Sequence, residues 1–351
     1  MTLKQLTAFL GSLFLVLDAP AQDFHRDRLF DSTQPSVHDP AAIRCGDAWY
    51  LFTTGFGIGI LTSEDLTSWE PSGRVFDTPP QWALETIPGY NGHTWAPDIY
   101  FHEGTYYLYY SCSSFGKNTS AIGVATNRTL DPTSEDYHWE DHGCVVRSIA
   151  GRDNWNAIDP NVVMDTDGTG WLSFGSFWSG IKLVKLDPTL TRVAEPQEWY
   201  PLCRRPEGTA DDTSQTDDAI QADPRGKDFD PGNGAVEAPF IIRHGGLYYL
   251  FVSYDLCCRG PKSTYKVVVG RAERITGPYV DAAGIPLMQG GGTLVASANE
   301  RYPGAGHCAI LSVQGGEKML LHAYDREDGY NAHLLVRDVH WNRDGWPSIE
   351  L

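Results

Sequence analysis

Three acidic residues stand in nearly the same short phrase at widely separated points of the chain: Asp39 in Val37-His38-Asp39-Pro40, Asp159 in Ala157-Ile158-Asp159-Pro160, and Glu237 in Val236-Glu237-Ala238-Pro239. Two carboxyl groups facing one another across a cleft are what cleavage of a glycosidic bond needs: one protonates the leaving oxygen, and the other activates water or attacks the sugar. A third carboxylate nearby raises the pKa of the acid by like-charge repulsion and can hold sugar hydroxyls. The two remaining copies of the phrase carry Trp95 and His307 at or beside that place. One such acid is ordinarily a strand-end cap, but three at matching positions point to a site.

The phrase itself shows what must position them. It returns five times, each copy leading through a turn to an aromatic run: Trp49-Tyr50-Leu51-Phe52, Tyr106 to Tyr110, Trp171-Leu172-Ser173-Phe174, Tyr248-Tyr249-Leu250-Phe251, and a degenerate Met319 to Ala323. From Pro40 to Pro97, Pro160, Pro239 and Cys308 the steps are 57, 63, 79 and 69 residues. An apolar strand, a turn and an aromatic strand make a hairpin, and a third strand and a fourth element follow. Four strands in each of five units predict an all-β five-bladed β-propeller, with a β-sandwich of accidental similarity as the alternative. In a propeller the innermost strands line a central channel, and their first residues emerge together at one mouth.

Composition agrees with a secreted carbohydrate-active protein. The formal net charge of −18 repels phosphate backbones and anionic lipid, which excludes nucleic acid and membrane surfaces as partners. Eleven Trp, 17 Tyr and 14 Phe favour β structure and supply ring faces for sugars. Residues 1–21 read as a signal peptide: Lys4, the apolar run Leu6 to Leu17, and Ala19-Pro20-Ala21 before the cut, leaving 22–351 as a single catalytic domain. Seven cysteines suit an oxidising compartment without forming a disulfide scaffold, and adjacent Cys257 and Cys258 could bond only through a strained ring. The sequons at Asn118 and Asn127 permit glycosylation. The Asp-rich stretch 204–234 reads as an exposed loop walling a cleft, with a calcium loop as its alternative.

Val-His-Asp-Pro at 37–40, Thr-Trp-Ala-Pro-Asp at 94–98, Ala-Ile-Asp-Pro at 157–160, Gly-Ser-Phe-Trp-Ser-Gly-Ile at 175–181 and Val-Glu-Ala-Pro-Phe at 236–240 resemble glycoside hydrolase family 43. Cys257-Cys258-Arg259-Gly260, followed by Ser263 to Arg271, is similar to its arabinanase branch. The resemblance implies hydrolysis of α-1,5-linked L-arabinan with inversion and internal cleavage. It implies Asp39 as general base, Glu237 as general acid, and Asp159 as the carboxylate that tunes Glu237 and orients substrate. It implies substrate contacts at Trp95, Phe115, Gly116, Asn156, Ser176, Phe177 and Trp178, and one largely water-coordinated calcium or other cation at His307. Arabinan is the expected partner of a monomeric, extracellular protein. The alternatives are exo-action, a xylan-acting relative, a retaining fructan enzyme and a sugar-binding propeller without catalysis. His38 and Ala238 replace the Asn and Cys that a fructan enzyme would carry.

Overall fold

A computed structural model describes residues 30–205 and 235–351, and all of these except Phe30 belong to the unit Asp31–Leu351. The expected leader and nearly all of the acidic stretch 204–234 lie outside the described residues. Each repeated phrase opens an antiparallel meander, and the five meanders are the blades of a five-bladed β-propeller. In blade 1, Ala41–Cys45, Ala48–Thr53, Gly59–Ser63 and Glu70–Arg74 pair in chain order. Its first hairpin closes over Gly46-Asp47, because Cys45 pairs with Ala48 and Gly46 takes the left-handed φ of 61° that a two-residue turn requires. Blade 2 holds His93–His102, Thr105–Cys112, Ser120–Asn127 and Glu140–Ser148; blade 3 holds Asn161–Met164, Gly170–Phe174, Ile181–Lys185 and Trp199–Cys203. Blade 4 holds Val236–His244, Leu247–Tyr254, Lys266–Ala272 and Thr293–Ala296.

Blade 5 departs from the sequence expectation. Only Ala305–Val313, Gly316–Asp325 and Asn331–Asp338 form its sheet, and the outer place is taken by the start of the unit. Ser36 bridges His333, Val37 N–H donates to Ala332 O, and Leu334 N–H donates to Pro35 O. The ring is closed by this exchange, which covers the otherwise unpaired edge of the last blade.

Apolar clusters occupy every blade interface. Phe52 and Ile60 meet Leu108 and Tyr110 between blades 1 and 2; Tyr109 and Ile122 meet Leu172 and Phe174 between blades 2 and 3. Leu183 meets Leu250 and Val252 between blades 3 and 4, Phe251 and Val267 meet Met319 and Leu321 between 4 and 5, and Leu320 and Leu334 meet Leu51 and Trp69 where the ring closes. The second strand of each blade therefore sends alternate side chains to opposite neighbours, which is why it reads as an unbroken aromatic and aliphatic run rather than a polar alternation.

At the mouth where the first strands begin, one residue per blade is left-handed: Asp39 (φ 55°), Ala96 (45°), Asp159 (59°), Ala238 (53°) and His307 (52°). A side chain with a Cβ avoids this region, and proline following it presses further toward extended backbone. The amide of each is held by a side chain of the preceding blade. Asp39 N–H donates to His322 Nδ1 (3.2 Å), Ala96 N–H to Thr54 Oγ1 (2.8 Å), Asp159 N–H to Ser111 Oγ (3.1 Å), Ala238 N–H to Asp159 Oδ2 (3.0 Å) and His307 N–H to Ser253 Oγ (2.8 Å). The far mouth is a wide cavity of about 620 Å³, bordered by Arg44, Trp49, Phe101, Met164, Arg243 and Gln314.

The two sequons do not offer free acceptors in this fold. Asn118 and Asn127 are buried, and Asn118 Nδ2 donates to the carbonyls of Asp153 (2.8 Å) and Trp155 (3.1 Å), so a glycan at either would displace core contacts.

The amide anchors make a direct prediction. Ser111→Ala or Ser253→Ala leaves one buried N–H at the channel mouth without an acceptor and should cost about 1–3 kcal/mol each. Chemical denaturation midpoints measured beside Ser348→Ala, an exposed control, check this; equal midpoints would remove the anchor role.

Candidate active site

The ring brings the three sequence-predicted acids and His307 to one mouth. Their places are not identical, however. Asp39, Asp159 and His307 are themselves the left-handed residues, whereas Glu237 precedes the left-handed Ala238 and pairs with Ser253. An extra residue on the first strand between Glu237 and Phe240 creates a bulge, and the same shift occurs at Trp95/Asp98 and Gly306/Ala309. Such bulges re-aim side chains at sheet ends.

Asp39 sits in a nest of donors. His38 Nδ1 is 2.8 Å from its Oδ1, His307 Nδ1 is 3.1 Å from the same oxygen, and Thr54 Oγ1 donates to Oδ2 at 2.6 Å. Burial opposes its ionisation, but the charge of His38 and the neighbouring His307 and His322 outweigh burial and hold the carboxyl well below the usual carboxylate range. His38 is correspondingly raised well above an ordinary imidazole, since Asp39 outweighs the cost of its burial. Asp39 is thus a carboxylate at working pH.

Glu237 and Asp159 are driven the other way. Burial raises Glu237, Ser176 Oγ opposes this by donating to Oε2 at 2.7 Å, and negative charge at Cys258 and then at Asp39 adds to the rise. Burial also pushes Asp159 well above its ordinary value, reinforced by Glu237 and then Asp39. Of the three buried carboxyls, Asp39 is thus shifted toward its ionised form and Asp159 and Glu237 toward their protonated forms, the opposition that acid–base chemistry on one bond uses.

Asp159 occupies this place for a structural reason. The anchoring position at the end of each second strand is Thr54, Ser111, Gly175, Ser253 and His322 in blades 1 to 5, and Gly175 has no side chain to offer. Asp159 Oδ2 takes over the amide of Ala238 and so lies against the backbone that carries Glu237. Gly175 cannot regain the role: at φ 136° an added Cβ would meet Gly180 O at 2.8 Å.

The expected substrate contacts form a connected rim. Phe177 N–H donates to Val236 O (2.9 Å), beside Glu237, and Phe177 and Trp178 are successive left-handed residues in the turn that also carries Ser176. Ser179 N–H donates to Asn154 O (3.2 Å), tying that turn to the segment with Asn156, whose buried Oδ1 has no partner among the described residues. Asn118 joins the same segment to the loop carrying Phe115, 68% exposed, and Gly116, at φ 71°. Trp95 is half-buried and donates from Nε1 to His93 Nδ1 (2.7 Å).

Sequence reasoning did not single out His38, His322, Thr54, Tyr324 or Phe56 as site residues. Phe56, 62% exposed, stands edge-on to His93 at 5.0 Å between ring centroids. A signal for His322 was present: Thr54, Ser111, Ser253 and His322 each lie 16 residues after their blade's His38, Trp95, Glu237 or Gly306.

His38, Asp39 and His322 form, among the described residues, a group whose ligand atoms lie within 4.8 Å of one another. Both nitrogens of His38 are already engaged, with Asp39 and with Tyr324 Oη (2.9 Å), and His322 Nδ1 accepts from Asp39 N–H. His307 differs: with Nδ1 turned to Asp39, its proton is held there and the Nε2 lone pair remains for a cation, the usual arrangement of a carboxylate behind a ligating imidazole. Burial lowers the pKa of His307, which keeps it neutral as a ligand must be.

Because its folded pKa is raised, Asp159 contributes full stability only below the carboxylate range, and that contribution is lost as pH rises through the folded value. Asp159→Asn keeps an oxygen acceptor for Ala238 and removes the charge. It should melt on the order of a few degrees higher than the parent at pH 8 and show no gain at pH 3; a lower melting temperature at pH 8 would contradict the electrostatic reading.

The profile of Glycosyl hydrolases family 43 matches residues 33–347. An extracellular exo-α-(1→5)-L-arabinofuranosidase of Cellvibrio japonicus is 49% identical over 317 residues, covering 90% of this chain and 87% of the relative. An extracellular endo-α-(1→5)-L-arabinanase of Bacillus subtilis is 38% identical over 345 residues, covering 97% and 95%. The solved structure of a Cellvibrio cellulosa α-L-arabinanase complexed with arabinohexaose superposes with a TM-score of 0.82 at 47% identity, over 90% of this chain and 96% of that one. By profile, identity and fold alike, the chain belongs to glycosyl hydrolase family 43.

Proposed function

We propose that the protein is a secreted arabinanase that hydrolyses α-1,5-linked L-arabinan with inversion at the anomeric carbon. The observation that carries this is the convergence of Asp39, Asp159 and Glu237 on one channel mouth, where Asp39 and Glu237 are shifted in opposite directions, supported by relatives named as acting on that linkage. Asp39, ionised and fixed by Thr54 and His38, accepts a proton from water as that water attacks. Glu237, its protonated form favoured by burial and its carboxyl oriented by Ser176, delivers its proton to the departing sugar oxygen. Asp159 is assigned the tuning of Glu237, and it fixes the backbone beneath that residue by accepting from Ala238 N–H. Trp95, Phe115, Phe177 and Trp178 offer ring faces, and Asn156 Oδ1 offers an acceptor to a sugar hydroxyl.

The sequence favours internal cleavage, but 49% identity to an exo-named relative against 38% to an endo-named one favours release from a chain end, and that mode is proposed here. His307 Nε2 would hold one calcium, completed largely by water. When bound, the cation supplies positive charge that offsets the crowded carboxylates.

Glu237→Gln and Asp39→Asn should each lose on the order of 10²-fold or more in turnover of linear arabinan while still binding it. Anomeric NMR of the parent should show inverted product first, and a product time course should show one short oligosaccharide from the outset. Near-parental turnover of Glu237→Gln would remove the acid assignment, initial retention would make Asp39 a nucleophile, and an early ladder of mixed lengths would restore internal cleavage. Chelation or His307→Ala should lower activity far more than the melting temperature; unchanged activity with no cation in the purified protein would leave His307 a core residue.

A further inference from the structure

Cys257 and Cys258 lie on the loop after the second strand of blade 4, in direct contact with the site but without a part in the acid–base chemistry. Neighbouring side chains on extended backbone point to opposite sides, yet here the two Sγ atoms are 2.9 Å apart. The cause is a left-handed Cys258, at φ 61°, which turns both sulfurs to one side. Consecutive Cα atoms are only about 3.8 Å apart, closer than relaxed disulfides prefer, so a bond between adjacent cysteines needs a backbone already bent to receive it.

The loop supplies that bend from outside the pair. Cys258 N–H donates to Tyr324 Oη at 2.7 Å, and the same hydroxyl meets His38 Nε2 at 2.9 Å. Thr264 N–H donates to Leu256 O (2.9 Å), Thr264 Oγ1 accepts from Leu256 N–H (3.2 Å), and Ser263 Oγ accepts from Arg259 N–H (3.1 Å), closing the loop on either side of the cysteines. Cys258 is exposed and Cys257 half-exposed, so a reagent in solution can reach both, whereas Cys112, Cys203 and Cys308 are buried.

We propose that Cys257 and Cys258 are a covalent modification site, closing into a vicinal disulfide by exchange with a small-molecule disulfide. One thiolate attacks the reagent's sulfur, expelling one thiol; the second then attacks the mixed disulfide, expelling the other. Two S–H bonds are lost, one S–S bond forms within the protein, and the reagent takes up both electrons and both protons as two thiols. Closure changes the acid's surroundings. Cys257 Sγ donates toward Glu237 Oε1 at 3.5 Å, and a disulfide sulfur has no hydrogen to donate. The ring therefore frees Oε1 to face the glycosidic oxygen and fixes an apolar surface beside it, so the oxidised form is the faster one. Cys257 is a positioning residue in this account, acting through Glu237.

The test treats the purified full-length protein with oxidised glutathione, alkylates it under denaturing conditions without reductant, and maps the tryptic peptide of residues 244–259, which holds these two cysteines and no other. The expected result is an unlabelled peptide lighter than the dithiol form by two hydrogen atoms, and a fully labelled one after phosphine treatment. Kinetics on linear arabinan should show a several-fold higher kcat for the oxidised form with KM little changed, reversed by reduction, and the kcat of Cys257→Ser, whatever its level, should not respond to oxidant or reductant. Labelling of both thiols after glutathione treatment would overturn the site. An unlabelled peptide with redox-insensitive kcat would overturn the positioning role. The labelling result does not depend on Glu237 being the acid, so its failure is distinguishable from failure of the proposed function.

Discussion

Five backbone amides, each belonging to a residue in a conformation that non-glycine residues avoid, donate to a side chain of the preceding blade around one mouth of the propeller. Apolar packing between blades sets the overall ring, but it has no directional preference fine enough to aim a carboxyl. The amide bonds do. Each offsets local strain at the point where a first strand begins, and each makes the position of one blade's leading residue depend on its neighbour. A site assembled from five distant stretches of sequence acquires its geometry from this belt.

The belt also decides the electrostatics. Thr54 serves both purposes at once: its hydroxyl accepts the amide of Ala96 and donates to Asp39. His322 accepts the amide of Asp39, adding an imidazole to those that keep the carboxyl ionised. Where the anchor is missing, at Gly175, Asp159 fills the role beside Glu237, and burial followed by the charge of Glu237 raises Asp159. The opposed shifts of these buried carboxyls thus arise from burial together with the side chains that the belt brings beside each one.

The repeat made the five blades and the mouth legible from sequence, because Asp39, Asp159, Glu237 and His307 recur at blade spacing and each precedes an apolar run. Other features left no such mark. The closure of blade 5 by Ser36 and Val37 depends on an unpaired edge nearly 300 residues away, which no local pattern records. His38, Tyr324 and Thr54 each look like ordinary strand-end residues until the ring brings them to Asp39. The place of Glu237 two residues before its proline, rather than one, was legible, but the bulge that accompanies it was not, since a bulge changes register without changing composition. The sequons at Asn118 and Asn127 left glycosylation open for the opposite reason: a tripeptide carries no information about burial, and both asparagines are buried.

The dependence of kcat/KM on pH for linear arabinan tests the central claim most directly, because it reports the essential base and acid of the free protein together. The structure predicts a broad bell whose acidic limb falls below the ordinary carboxylate range, set by Asp39 among its histidines, and whose alkaline limb lies above that range, set by the coupled Glu237 and Asp159. A narrow profile with both limbs within the ordinary carboxylate range would show that the belt of amide anchors does not separate the two carboxyls.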